Sequence, residues 1–180
     1  MKWNIDPTHS QAEFSVRHMF TKVRGHMVVA SGTVDTDDLD PLKTVIFARL
    51  DPATVNTGVQ VRDDHLRSVD FFDIQQYPEI VFHSTVIGQT AKDHYAVTGI
   101  LSMRGVNLPV TLEVRAAADG VDPFGNRRAG VSARTTLNRK DFGLKWNRAL
   151  ESGGLLVGDE VEINLEIEAV LDQVARDAAA

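Results

Sequence analysis

Six histidines and 25 acidic residues are the obvious raw material for catalysis or metal binding, and their spacing decides what they can do. A zinc site needs three or four convergent ligands, as in His-Glu-x-x-His. No such motif is present. Asp63, Asp64 and His65 are adjacent, but neighbouring side chains on a helix point about 100° apart and cannot chelate one ion together. His9, His18 and His65 lie far apart in sequence, so only the fold could make them converge. A serine nucleophile on a Gly-x-Ser-x-Gly elbow is missing. The absence of cysteine excludes disulfides, thiolate metal sites and cysteine nucleophiles. Gly143-Leu144-Lys145 lacks the spacing of a phosphate loop, and no helix follows Gly153-Gly154. Paired carboxylates are common, but they fall on the polar sides of strands, where solvated charge is their ordinary role. The residues thus predict no catalytic group, no metal and no cofactor. Arg62, His65, Lys145 and Arg148 are different. They come from two irregular segments and would meet a polar or anionic head group if those segments share one end of the fold. The plain alternative is that Arg62 pairs with Asp63 or another neighbour, and that His18 is a core histidine with a hydrogen-bond partner.

The elements that must position these groups are strands. Val161, Ile163, Leu165 and Ile167 alternate with Glu162, Asn164, Glu166 and Glu168, one face aliphatic and the other acidic. Phe14, Val16, His18 and Phe20 alternate in the same way with Glu13, Ser15, Arg17 and Met19. The pattern predicts eight strands, near residues 11–20, 24–35, 43–50, 79–88, 94–103, 108–118, 128–138 and 159–170. Turn signals separate them, including Asp35–Pro41, Gln89–Asp93, Arg104-Gly105 and Asp119–Asn126. Short connections make neighbours antiparallel. Eight antiparallel strands with one apolar face close into an up-and-down barrel and leave no exposed edge. A two-sheet sandwich is the alternative.

Two segments break the alternation. In residues 57–78, Thr57 is placed to cap a short helix between the third and fourth strands. There Val59, Arg62, Leu66 and Val69 share a helical face, and Asp63 and Arg67 stand at ion-pair spacing. Phe71-Phe72 and Tyr77-Pro78 follow, so the segment reads as a plug or lid over one barrel end. Residues 139–158 are long for a hairpin loop, and long loops in compact domains are commonly functional.

The chain has 180 residues, of which 43 % are hydrophobic and 24 % charged, with a net charge of −6. That composition is globular, not disordered. A chain of this length buries about 70 % of its extended surface. An acidic chain with no basic run repels phosphate backbones, which argues against nucleic acid as a partner. The start, Met1-Lys2-Trp3-Asn4-Ile5, has no apolar run of signal-peptide length, and no stretch reaches membrane-span length, so the reading is cytoplasmic. One domain is expected over residues 1–172, with a frayed tail at 173–180.

Eight-stranded barrels either fill with side chains or hold one small ligand. Gly99, Ala116, Ala129 and Ala133 are small residues on the expected inner face, where they leave volume. Strands of about 33–40 Å suit a long, thin apolar guest. Periodicity alone leaves both outcomes open.

Several runs carry a family resemblance from Trp3 to about Val170. They begin with Trp3-x-Ile5-Asp6-x-x-His9-Ser10 and Phe14-x-Val16-x-His18. Thr57-Gly58 and Arg62-Asp63-x-His65-Leu66-x-Ser68-x-Asp70-Phe71-Phe72-Asp73 follow, then Tyr77-Pro78-x-Ile80-x-Phe82-x-Ser84. Gly99-x-Leu101, Arg104-Gly105-Val106, Asn138-Arg139-x-Asp141-Phe142-Gly143-Leu144 and Gly158-Asp159-x-Val161-x-Ile163 complete them. The chain resembles the YceI-like family of lipid- and polyisoprenoid-binding proteins. The resemblance implies a lipocalin-like barrel, often a homodimer, whose elongated cavity takes an isoprenoid lipid such as a polyprenyl chain or isoprenoid quinone, with transient membrane contact. It implies a cavity lined by Phe14, Val16, His18, Phe47, Leu66, Phe71, Phe82, Leu101, Phe142 and Trp146. Many relatives carry a signal peptide, which is not seen here. The family's common Gly-Val-Thr-Lys-Pro-Val is here Gly105-Val106-Asn107-Leu108-Pro109-Val110, without the lysine.

Overall fold

A computed structural model describes residues 1–37, 39–151 and 153–172. The tail expected to fray, 173–180, lies outside the described residues. The strands are β1 (Lys2–Ile5), β2 (Gln11–His18), β3 (Thr21–Asp35), β4 (Val45–Asn56), β5 (Ile80–Ala91), β6 (His94–Met103), β7 (Val106–Val121), β8 (Arg127–Asn138) and β9 (Val157–Leu171). One α-helix, α1 (Gln60–Arg67), sits between β4 and β5. From β2 onward each strand pairs antiparallel with the next, and β9 returns to pair with β2. The sheet is therefore an all-β ring of up-and-down strands, with alternate side chains turned inward.

Among the described residues nine strands are present, not the expected eight. The addition is β1, whose four residues are too few for alternation to register. It pairs with β3 through Lys2↔Asp35 and with β9 through Trp3↔Leu171. β3 and β9 have 15 residues each and β2 only 8, so β1 fills the gap beyond the end of β2. The chain leaves the sheet between them at Asp6-Pro7, where proline has no N–H to give a ladder.

The β1 end of the ring is closed. Trp3, Ala169 and Leu171 pack together with Val34 and Ala129. Arg128 crosses this end and donates to Asp122 at 2.7 Å, to Asp6 at 2.8 Å and to Glu168. Asp6, His9 and Glu168 converge here, but Arg128 already occupies both carboxylates. Asp6 also accepts from Thr8, and it is held well below the usual carboxylate range by Thr8 first, then Arg128 and His9. Asp122 is lowered mainly by Arg128.

Two local expectations change at α1. Its N-cap is Val59, with no side-chain cap bond, and Thr57 instead donates its N–H to Asp63 at 2.9 Å. Arg67 pairs with Asp64 at 3.0 Å, not with Asp63, and donates to the carbonyls of Ala53 and Val55 at 2.8 Å each. Those bonds fasten α1 to β4. The inner-face glycine also behaves differently from expectation. Gly99 leaves no void, because the Phe82 ring lies over it, and Ala129 packs in the Trp3 cluster.

A Cβ on Gly99 would sit 2.4 Å from Phe82 Cζ and 2.5 Å from the His83 carbonyl oxygen, which is backbone and cannot swing away. Gly99→Ala should therefore cost roughly 1–3 kcal/mol in urea unfolding. Gly88→Ala, with nothing within 4 Å of its new Cβ, should be near neutral. Equal effects would contradict the close approach. Lowered carboxylates stabilise a fold above their ordinary value of 3.8, and that contribution is lost as the pH falls further. Thermal stability should thus drop on acidification below about pH 4. Arg128→Met should lower the neutral-pH midpoint and flatten that acid dependence; an unchanged acid profile would show that Arg128 is not its source.

Candidate ligand-binding cavity

The ring encloses a cavity of about 700 Å³, within the usual range for small-molecule sites. Its wall is built by the inner faces of the strands, including Val29, Ile46, Leu50, Val97, Leu112 and Ala133. On β9, Val161, Ile163, Leu165 and Ile167 all line it and all remain half-buried. Aliphatic side chains inside a filled ring would be fully buried. Here their remaining surface faces the void.

One end of the cavity is roofed by the two irregular segments, which do meet. The His65 ring stands edge-on to Phe71, with centroids 5.1 Å apart, and to Trp146 at 4.6 Å. Phe71 and Trp146 are themselves 5.6 Å apart. His65 Nε2 is 2.9 Å from an Asp70 carboxylate oxygen, which fixes the ring's orientation. Arg139 holds the second segment. Its guanidinium donates to the carbonyls of Gly158 at 2.8 Å, Leu144 at 2.5 Å and Trp146 at 2.9 Å. Its side chain is only 6 % exposed and lies 3.5 Å from Asp159. Burial lowers its pKa, and Asp159 partly opposes that. Arg104 adds a second tie, donating to Gly143 O at 2.8 Å and Val69 O at 2.7 Å. It therefore joins the 139–156 segment to the segment that follows α1.

The structure places Phe14, Val16, His18, Leu66, Phe71, Phe82, Leu101 and Trp146 in the cavity wall. Arg62 and His65 line it at the roofed end. His18 has no ring partner among the described residues, unlike the core histidine expected. Four assignments are corrected. Phe47 points outward and is 37 % exposed, while Ile46, Ala48 and Leu50 face in. Val45, Ile46 and Phe47 are consecutive apolar residues, so alternation could not choose between them. Phe142 is 2 % exposed but packs behind the wall, beside Phe71 and Leu144, because it ends the 3-10 turn Arg139–Phe142. Lys145 and Arg148 are exposed and do not line the cavity. Leu144 and Trp146 on either side of Lys145 turn inward, which turns the lysine out. Arg148 lies in the small antiparallel excursion bridged by Ala149 and Leu155. Arg62 pairs with Thr57 rather than with Asp63: its Nε donates to Thr57 Oγ1 at 2.7 Å. Arg139 and Arg104 carry no mark of this role in the local sequence pattern. Their signal was only membership of the runs Asn138-Arg139 and Arg104-Gly105.

Arg139→Met should remove the donor to the carbonyls of Leu144, Trp146, Val157 and Gly158 and leave Asp159 with Lys140 alone. The expected cost is about 2–3 kcal/mol, from charge-assisted hydrogen bonds lost to carbonyls that lack ladder partners. In a Trp3→Phe background, Trp146 emission should also shift to the red as the roof loosens. Unchanged emission and stability would show that Arg139 does not hold the roof.

Comparison with known proteins places this geometry. A YceI-like domain model matches residues 3–169. A UPF0312 protein of Pseudomonas putida strain GB-1 is 36 % identical over 138 residues, covering 76 % of this chain and 72 % of that protein. A UPF0312 protein of Azotobacter vinelandii is 31 % identical over 163 residues, 90 % of this chain and 82 % of its own. Among solved structures, Burkholderia cenocepacia BcnA superimposes with a TM-score of 0.78 at 22 % identity, covering 91 % of this chain and 98 % of its own. A polyisoprenoid binding domain from Saccharophagus degradans does so with a TM-score of 0.67 at 19 % identity, covering 94 % and 98 %. With the family model spanning nearly the whole ring, including the roof segments, the chain belongs to the YceI-like domain family.

Proposed function

We propose that this protein binds an elongated isoprenoid-type lipid, a polyprenyl chain or isoprenoid quinone, inside the ring, and carries, stores or sequesters it. The observation that supports the reading is the half-buried aliphatic row on β9, inside a closed sheet yet short of neighbours. A guest chain would complete its packing, contributing about 0.8 kcal/mol for each buried CH₂. The ligand class is suggested by the family and by the polyisoprenoid binding domain that shares the fold. Binding, not catalysis, is the activity proposed.

The mouth also supports passage of a lipid. Phe20 and Val61 are each 81 % exposed, and Val69 and Leu155 are also exposed, all on segments at the roofed end of the ring. Large apolar side chains exposed at one end of a fold suit a contact surface. Among the described residues no helix is long and apolar enough to cross a membrane, so the contact proposed is peripheral and transient.

Protein purified without detergent, then extracted into organic solvent and analysed by mass spectrometry, should yield an isoprenoid lipid. Ala133→Trp, which places an indole in the cavity, should abolish recovery while circular dichroism stays that of the native sheet. A folded wild-type protein that carries no lipid, and takes up none from added polyprenyl chains, would overturn the proposal.

A further inference from the structure

We infer that Trp3 is the floor of the cavity and sets the length of lipid chain that the ring accepts. The inference rests on the reading of the cavity as a lipid site and names the residue that selects among chains of one chemical class.

The void stops at one level on three neighbouring strands. On β9, Leu165 and Ile167 line it, but Ala169 and Leu171, next on the same face, do not. On β8, Val131 lines it and Ala129 does not; on β1, Ile5 lines it and Trp3 does not. The register sets these stops side by side, with Ala129 opposite Ala169 and Trp3 opposite Leu171. Ala129 and Ala169 are too small to span the ring. The Trp3 indole takes up the room they leave and is only 6 % exposed.

The partition is a single side chain thick. Arg127 lies two residues beyond Ala129, on the same face of β8, and its guanidinium sits 5.5 Å from the centre of the Trp3 ring. That guanidinium is solvent-accessible and paired with Asp119 at 2.8 Å. The indole thus separates an apolar void from a charged rim. It is also fixed in place, because β1 is laddered to β3 on one side and to β9 on the other.

A guest chain gains about fourfold in affinity for each further CH₂ it buries. That gain ends where the chain meets the indole, and units beyond that length are left outside the ring. Replacing the indole by a methyl group would free a space on the order of 150 Å³, the size that holds a benzene molecule. One more five-carbon unit would fit there.

A series of polyprenols rising from farnesol by one five-carbon unit at a time would test this on the full chain. Binding is read from Trp146, the only tryptophan left in Trp3→Phe and Trp3→Ala. In Trp3→Phe, where a ring still closes the floor, affinity should rise about tenfold or more per unit up to a limiting length, then by less than about twofold. In Trp3→Ala the limit should move to a chain at least one unit longer. Val131→Phe, made in the Trp3→Phe background, fills the lowest level of the void and should move the limit one unit shorter. If Trp3→Ala does not fold, Val131→Phe decides alone, and an unmoved limit overturns the inference. The same limiting length in all three proteins, or no limit in Trp3→Phe, would overturn the floor assignment and leave the lipid reading standing. Binding of no polyprenol by folded Trp3→Phe protein would remove both readings.

Discussion

The interaction on which the rest of the molecule depends is the return of β9 to β2. An open sheet can cover its apolar face with a second layer. A closed one has no second layer to recruit and must settle that face with its own side chains. Eight strands in a ring set a width that Val, Leu and Ile only partly span. The rows on β9 and on the facing strands stop short of each other, and the cavity is what remains between them. Its far end is filled by Trp3, which shows that the chain can seal the ring where it does so with a large ring system.

The roof solves a different problem. Two irregular segments, packed on each other through Phe71, Phe142, Leu144 and Trp146, must also satisfy their backbone while they stay over an opening. Side chain to backbone hydrogen bonds do this. Arg139 collects carbonyls of its own segment, Arg104 links that segment to the one after α1, and Arg67 ties α1 to β4. Carbonyls in such segments lack ladder partners, and each guanidinium satisfies several at once. The same choice of residue brings positive charge to the rim of an otherwise acidic protein.

Much of the architecture was legible because period-two alternation survives wherever one strand face is wet. Glu162, Glu166 and their neighbours mark the outside of β9 plainly. The signal fails where both faces are apolar, as at Val45-Ile46-Phe47, and where bulges shift the frame, as between Ser84 and Val86 on β5. It fails too for β1, which is short and held by pairing rather than by its own pattern. At the candidate site, Arg62 and His65 were legible as basic groups in an irregular segment. The inward-facing role of Arg139 was not, because it arises from carbonyls supplied at Leu144, Trp146 and Gly158, whose positions no local pattern specifies.

β1 and the end of β9 run side by side, with Trp3 opposite Leu171 and the Asp172 N–H donating to Lys2 O at 2.8 Å. Both ends of the described chain therefore emerge from the sealed pole. Anything covalently joined to either end, whether a fused partner or an immobilising tether, would hang from that pole and leave the opposite opening pointed away from the attachment. The fold thus has a built-in direction, like a cup held by its base.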